Sequence, residues 1–203
     1  MNNRVTFLKP DDITKRVNSY VPQFEIVNAL PIDVEKLIEK NGISLVVVPD
    51  MRSIDGLESY ITTDGVDKIY IDQYQYDKDV VRARFTIAHE LGHLVLHKEL
   101  LKSQNITNET KYFEFRKNIT TDEEKRLEIQ AYIFAGYILM PQKTFNSEVN
   151  KIVERFGGKG KIAVYELRHI IEHISKTFQC SNQSAMKQLK YEFDWMKEIF
   201  DAI

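Results

Sequence analysis

The segment His89-Glu90-Leu91-Gly92-His93 constrains this chain more than any other part of its sequence. Two histidines four residues apart on a helix project from the same face, one turn above each other. Their imidazole nitrogens can therefore converge on one metal ion, at about 2.1 Å each. Glu90 follows His89 directly, so its carboxylate lies beside such an ion and can act as a general base towards water. The pattern predicts a zinc site on a helix.

The helix predicted over residues 79–97 is apolar around these histidines, which indicates that it is buried. Its apolar residues are Phe85, Ile87, Ala88, Leu91, Leu94, Val95 and Leu96. Buried histidine and glutamate side chains need polar partners, and a metal ion supplies them. The competing interpretation is a helix that merely contains two histidines, so a third ligand is the stronger test.

Three residues compete for the position of third ligand. His97 continues the four-residue series but lies about 12 Å from His89 along a continuous helix, too far for both to reach one ion. Glu128 lies on the apolar stripe of a second predicted helix, where an ionised carboxylate is costly unless it is paired or bound to a cation. Glu124 lies one turn earlier, near the helix start, where the helix dipole already favours acidic residues. We therefore predict His89, His93 and Glu128 as ligands and keep Glu124 in reserve.

The bulk composition fits one compact domain, or one domain with a helical appendage, because the 203 residues are 43% hydrophobic and 29% charged. The net charge of −2 excludes a whole-chain attraction to nucleic acid or anionic lipid. The first residues contain no apolar signal region, and no stretch reaches transmembrane length. The single cysteine, Cys180, suits a reducing compartment. We expect a cytoplasmic protein with no membrane partner.

The periodicity along the chain predicts an α+β fold in which a helix and three strands precede the two site helices. A loosely structured arm is expected over residues 1–28, a helix from Pro31 to Gly42, a buried strand over 43–48, a hairpin over 57–71, the site helix over 79–97, a long loop over 98–119 and the third-ligand helix over 121–140. We divide the chain into an N-terminal arm (1–30), a core (31–141) and a mainly helical C-terminal segment (142–203).

The C-terminal segment carries a near-neutral charge. Residues 142–203 hold 10 Lys and Arg against 8 Asp and Glu, a balance of +2, which is too small to favour DNA binding. An oxyanion donor is also needed if the site is catalytic. The candidates in this segment are Tyr165, Arg168, His169 and His173, although a helix face without function is the better explanation of His169 and of His173.

Two separated motifs resemble the ImmA/IrrE metallopeptidases, which are of the gluzincin type. The first runs from Phe85 to His97, and the second joins Glu128-Ile129-Gln130-Ala131-Tyr132-Ile133-Phe134-Ala135 to Leu139-Met140-Pro141. The segment Lys68-Ile69-Tyr70-Ile71 is also similar, and the likeness covers Pro31 to Pro141. The resemblance implies a zincin-like core with a small antiparallel or mixed three-stranded sheet, Zn²⁺ held by His89, His93 and Glu128, and Glu90 as the base.

The resemblance also implies a partner. Similar family members act on helix-turn-helix repressors of phages, mobile elements or stress responses, so the expected substrate is such a regulator. The strand around Lys68 to Ile71 is expected to pair with an extended substrate segment. The segment from Ile174 to Leu189 resembles a degenerate helix-turn-helix, but Gln188 stands where an arginine is usual, which weakens any case for DNA contact. The alternative function is a zinc-stabilised anti-repressor or binding module that does not cleave, since both kinds of site share the same ligands.

Overall fold

A computed structural model describes residues 5–20 and 30–201, and in these residues helices surround one small sheet. The strands are β1 (Ser44–Val48), β2 (Ser59–Thr62) and β3 (Lys68–Asp72). The helices are α1 (Pro10–Tyr20), α2 (Val34–Lys40), α3 (Met51–Asp55), α4 (Gln73–Lys78), α5 (Val80–Leu96), α6 (Lys98–Ser103), α7 (Glu109–Asn118), α8 (Thr121–Leu139), α9 (Gln142–Arg155), α10 (Val164–Phe178), α11 (Asn182–Glu192) and α12 (Asp194–Asp201), with a 3₁₀ helix at Lys159–Lys161. The predicted α+β class and helical C-terminal part are confirmed.

The sheet is mixed, with the strand order β1-β3-β2. β2 and β3 form the predicted hairpin, antiparallel with Tyr60 opposite Tyr70, and the two rings stack with centroids 4.3 Å apart. β1 is parallel to β3. β3 is therefore the central strand, and the prediction that the strand at Lys68 to Ile71 pairs with a substrate segment is wrong, since both of its sides are already paired. β1 is an edge strand with two exposed residues rather than the buried strand expected.

Local signals define both ends of the two helices that carry the predicted ligands. α5 begins after Asp79, whose side chain accepts a hydrogen bond from the amide of Arg82, and it ends at His97. α8 begins with a capping box in which Thr120 and Glu123 satisfy each other's backbone amides. Pro141 follows its last turn, where a proline cannot continue the helix. Both helices match the sequence predictions closely.

The core is divided into two clusters along the chain. The first gathers the sheet, α5 and most of α8, and it includes Ile13 and Val17 of α1. The second begins at Met140 and continues through the C-terminal helices. Because Ile13 is fully buried and α1 lies against α8, the expectation of a loosely structured arm is wrong for the helical residues. Residues 1–4 and 21–29 of that arm lie outside the described residues.

The segment 98–119 forms two helices, so the prediction of a long loop is wrong. The side chain of Asn108 caps α7 by accepting from the amide of Lys111. Tyr112 and Phe115 are buried on one face of α7, which lies against β2. Their three-residue spacing was a helical signal that the polar composition of the segment obscured. No helix in the described part of the chain is long and apolar enough to cross a membrane.

The close approach of α5 and α8 depends on Gly92. A Cβ atom at this position would lie 3.1 Å from the backbone of Ala131 and 3.1 Å from the ring of Phe134. Two helix backbones cannot easily separate without disturbing the core around them.

We predict that Gly92→Ala destabilises the protein despite the better helix propensity of alanine. Overpacking costs about 1–3 kcal/mol, whereas the gain in propensity is about 1 kcal/mol. The matched control is Gly136→Ala in α8, where a Cβ would make only an ordinary 3.5 Å contact with Gln188. Denaturant unfolding measures both variants. A Gly92→Ala protein as stable as Gly136→Ala would contradict the prediction.

Candidate metal centre

α5 presents the two histidines of the motif to one point. Their Nε2 atoms lie 3.1 Å apart, and the rings are nearly perpendicular, with an interplanar angle of 80°. His93 is buried and His89 is partly exposed. The four-residue spacing thus gives the convergence that the sequence predicted, with one ring deep in the core and the other at the surface of a cleft.

α8 brings Glu128 to the same point. Its Oε2 lies 3.2 Å from Nε2 of His89, and its Oε1 lies 3.8 Å from Nε2 of His93. One ligand atom from each of these three residues lies within 4.8 Å of the others, and this is the one such group of three or more His, Cys, Asp or Glu residues found in the described chain. The structure therefore brings together the three residues that we predicted as ligands.

Glu90 is buried beside this group and is held by the sheet. The hydroxyl of Ser59, at the start of β2, donates to Oε1 of Glu90 over 2.6 Å. Its Oε2 is buried and has no hydrogen-bond partner among the described residues. Burial raises the pKa of Glu90, although the charge of His89 and the hydrogen bond from Ser59 act in the opposite direction. One carboxylate oxygen is therefore fixed, and the other is available as a proton acceptor.

Arg116 of α7 holds the outer side of Glu128. Its Nη1 donates to Oε1 of Glu128 over 2.6 Å, and its Nη2 donates to Glu124 over 2.6 Å. Nη1 also donates to the hydroxyl of Tyr112 over 3.2 Å. Glu124 is thus the counterion of Arg116 and is not one of the three converging residues, which leaves it outside the candidate metal group.

His97 lies behind His93, on the side away from the cleft. Their Nδ1 atoms are 3.2 Å apart, and Nε2 of His97 lies 2.9 Å from Oε1 of Gln130 in α8. Burial lowers the pKa of His97 to about 4, so the ring is neutral at physiological pH. His97 therefore contacts one of the candidate ligands without joining them.

The three converging residues have strongly perturbed pKa values. Burial lowers the pKa of His93 well below its usual value, and the neighbouring His89 and His97 act in the same direction. Burial would also lower the pKa of His89, but its hydrogen bond to Glu128 and nearby carboxylates raise it overall. Burial alone would raise the pKa of Glu128, but the hydrogen bond to His89 and the adjacent charges lower it to about 2. An ionised carboxylate and a neutral His93 are the forms that bind a metal.

The group opens into a cleft of about 510 Å³. Its walls come from α5, α7, α8 and the residues that lead into β2, and they include Tyr112, Phe113 and Arg116. None of the four oxyanion candidates from the C-terminal segment lines this cleft. All four lie on α10, where His169 contacts Tyr165 and His173 approaches Glu148.

The structure thus adds three site residues that were not predicted from the sequence: Ser59, Tyr112 and Arg116. Tyr112 and Arg116 are four residues apart on α7, and the Asn108 cap with the buried aromatic spacing could have revealed that helix. Ser59 carried no comparable signal, because its contact with Glu90 spans 31 residues of the chain. Only the packing of β2 against α5 places it there.

The fold and the His-His-Glu group define a zincin-type α+β protein. Residues 46–155, more than half of the chain, match the IrrE N-terminal-like domain of the peptidase M78 family. The chain therefore belongs to this ImmA/IrrE family of metallopeptidases, whose members are in general zinc-dependent.

A solved protein with a similar fold is described as a Mycobacterium tuberculosis transcriptional regulator. The superposition covers 88% of this chain with a TM-score of 0.54 and 17% sequence identity. The present chain corresponds to only 46% of that protein, so the likeness concerns the fold alone. No curated protein matches the chain.

We predict that Glu128→Gln and Glu124→Gln differ sharply in metal binding. The amide at 128 replaces a charged ligand oxygen, so the Kd for Zn²⁺ should rise by more than the roughly 10–100-fold typical of losing an outer partner. Glu124→Gln removes an equal charge from the same helix but leaves the three converging residues intact, so its Kd should stay within about threefold of the original. Competition with a chromophoric chelator measures both values. Equal losses would rule out the assignment of Glu128.

Proposed function

We propose that this protein is a zinc-dependent peptidase that cleaves a helix-turn-helix transcriptional regulator. The observation that carries the proposal is the free Oε2 of Glu90, buried beside three converging metal-binding side chains in an open cleft. A structural zinc site almost always has four protein ligands, and it needs no base. This group offers three ligands, an open side and a carboxylate oriented by Ser59.

The closest contacts among the three side chains approach the spacing that Zn²⁺ needs. Ligand atoms about 2.1 Å from a tetrahedral ion lie about 3.4 Å from each other. Nε2 of His89 lies 3.1 Å from Nε2 of His93 and 3.2 Å from Oε2 of Glu128, and the other oxygen of Glu128, Oε1, lies 3.8 Å from Nε2 of His93. Two imidazoles and one carboxylate are also a common set of catalytic zinc ligands. We therefore infer that His89, His93 and Glu128 would hold the ion. Zn²⁺ bound there would polarise the scissile carbonyl and acidify a water molecule.

Glu90 would take the proton from the attacking water and deliver it to the leaving amine. Its Oε2 is the free oxygen, and the hydrogen bond from Ser59 to Oε1 keeps the carboxylate from rotating. A general base works best when its pKa approaches the working pH. Burial raises the pKa of Glu90 in that direction.

Tyr112 replaces the α10 residues as our candidate for the oxyanion donor. It lines the cleft, and burial together with the charge of Glu90 raises the pKa of its hydroxyl, which therefore stays protonated. The hydroxyl accepts from Arg116, so its own proton remains available to a substrate oxygen. Arg116 would fix the position of Tyr112 and of Glu128 at the same time.

The free edge of β2 is the surface to which we assign an extended substrate segment. The amide of Asp72 donates to the carbonyl of Glu58, so the alternation of an antiparallel pair directs the backbone groups of Ser59 and Ile61 away from β3. Within the described chain these two residues have no backbone partner on that side. At the C-terminal end of β2 the edge is already occupied, because the amide of Thr63 donates a hydrogen bond to the carbonyl of Ile106. Strand addition at this edge would place a peptide along the cleft.

The substrate class rests on likeness rather than on the geometry of the cleft. The sequence resemblance implies helix-turn-helix repressors as substrates, and the similar solved structure is described as a transcriptional regulator. A regulator of a phage, mobile element or stress response is therefore the proposed partner, met in the cytoplasm. The proposal includes neither membrane nor direct DNA contact.

The second candidate function is an anti-repressor that binds the regulator through the same cleft without cutting it. Its support is that a binding module could use the same three ligands to stabilise the fold. The free carboxylate oxygen of Glu90 favours the peptidase, because a binding module gains nothing from a buried acceptor without a partner.

We predict that Glu90→Gln abolishes cleavage while zinc binding and fold persist. The amide cannot accept the water proton, yet it keeps the size of the side chain and can still accept from Ser59. The test is co-expression with the helix-turn-helix regulator encoded nearest to the gene, with immunoblots for the full-length regulator. Loss of the full-length regulator with the original chain, but not with Glu90→Gln, supports proteolysis. Loss with both chains, or with neither, contradicts it.

We predict that Tyr112→Phe lowers kcat by about 10²–10³, the usual cost of one oxyanion donor. The KM and the Kd for Zn²⁺ should change little, since the ring is retained and the ligands are untouched. The control is Tyr76→Phe, which removes a hydroxyl that bonds Glu35 outside the cleft. The measurement is steady-state kinetics with a regulator peptide that the original protein cleaves as the substrate. An unchanged kcat for Tyr112→Phe would exclude the role.

A further inference from the structure

His97 and Gln130 form a hydrogen-bonded chain that starts at the N-terminal segment and ends on His93. The amide nitrogen Nε2 of Gln130 donates to the carbonyl of Thr6 over 3.0 Å. Oε1 of Gln130 lies 2.9 Å from Nε2 of His97, and the two Nδ1 atoms of His97 and His93 are 3.2 Å apart. Every link of this chain is buried or partly buried.

The backbone carbonyl of Thr6 sets the donor-to-acceptor direction of every hydrogen bond in this series, because a carbonyl oxygen can only accept. The amide group of Gln130 must therefore turn its nitrogen towards Thr6 and its oxygen towards His97. An amide oxygen also only accepts, so Nε2 of His97 must carry a hydrogen. His97 is buried, and its hydrogen-bond partners among the described residues are Gln130 and His93 rather than a carboxylate that would stabilise an imidazolium. Its ring is therefore neutral, and Nδ1 is a bare acceptor.

The contact between His97 and His93 fixes the tautomer of His93. Two facing Nδ1 atoms form a hydrogen bond only if one of them is protonated, and Nδ1 of His97 is not. His93 therefore carries its hydrogen on Nδ1, which leaves the lone pair of Nε2 directed at His89 and Glu128. A neutral imidazole in this tautomer is ready to bind a metal through Nε2.

We propose that His97 and Gln130 are positioning residues that hold His93 in its metal-binding tautomer, with the N-terminal segment as their anchor. The inference rests on the proposed zinc site and not on the peptidase reaction. Val5, which precedes Thr6, is buried in the first core cluster and holds this segment against the core. His97 thereby acquires a role behind the ligand, at the point where α5 ends and its ring can turn back towards His93.

The first test reads the tautomers directly in the zinc-free protein. Long-range ¹H–¹⁵N correlation spectra of histidine-labelled protein near pH 7 distinguish a hydrogen on Nδ1 from one on Nε2. We expect His93 in the Nδ1–H form and His97 in the Nε2–H form. His93 in the Nε2–H form would overturn the proposal. Because no metal is present, this result stands even if the chain proves not to bind Zn²⁺, which would refute the proposed function instead.

The second test compares two substitutions that share the same number and branching of side-chain heavy atoms, His97→Asn and His97→Leu. The oxygen of asparagine can accept from Nδ1 of His93, whereas leucine offers no acceptor. We expect the Kd for Zn²⁺ to rise about 10–100-fold in His97→Leu and to rise markedly less in His97→Asn. A role in packing alone gives the opposite order, because His97 is only 5% exposed and leucine suits a buried site better.

Thermal unfolding of the zinc-free variants separates stability from metal affinity. We expect His97→Leu to be at least as stable as His97→Asn while binding Zn²⁺ more weakly. Gln130→Leu should also weaken Zn²⁺ binding about 10–100-fold, since the tautomer of His97 is then no longer specified. Equal zinc affinities in the two His97 variants would overturn the proposal.

Discussion

The contact between α5 and α8 is the constraint on which the candidate site depends. It is the most extensive contact between two elements of the described chain. Gly92 permits it, because its missing Cβ leaves room for the backbone of Ala131. The same approach sets the distance from His89 and His93 to Glu128 on one side, and from His97 to Gln130 on the other. A shift of either helix would disturb the ligands and their supporting hydrogen bonds together.

Charge is distributed unevenly around this contact. Glu90, Glu124 and Glu128 lie close together, and Arg116 is the cation that bonds two of them. Glu90 is buried, and one of its oxygens has no partner in the described part of the chain, which is a costly arrangement in the absence of a ligand. A divalent cation held by His89, His93 and Glu128 would relieve that cost. This arrangement is one reason why we propose a metal site in the cleft.

Elements with strong local signals were predicted well from the sequence. α5 and α8 combine capping residues with a long apolar periodicity, and the hairpin has alternating residues around a turn at Gly65. α7 was missed because its buried face is short and its other positions are polar. α1 was not predicted, because the sequence alone does not show that apolar residues such as Ile13 and Val17 are buried. They are buried only because α1 packs against α8.

The sequence by itself determined the chemistry available at the site, since a four-residue spacing on a helix necessarily places His89 and His93 on one face. It also singled out Glu128, as a carboxylate on an apolar stripe. Only the tertiary structure decided which groups complete the arrangement. Ser59 on Glu90, Arg116 on Glu128 and Gln130 on His97 are contacts between different elements, and no local pattern encodes them. The physical reason is that spacing within a helix follows from its own geometry, whereas these partners depend on how separate elements pack.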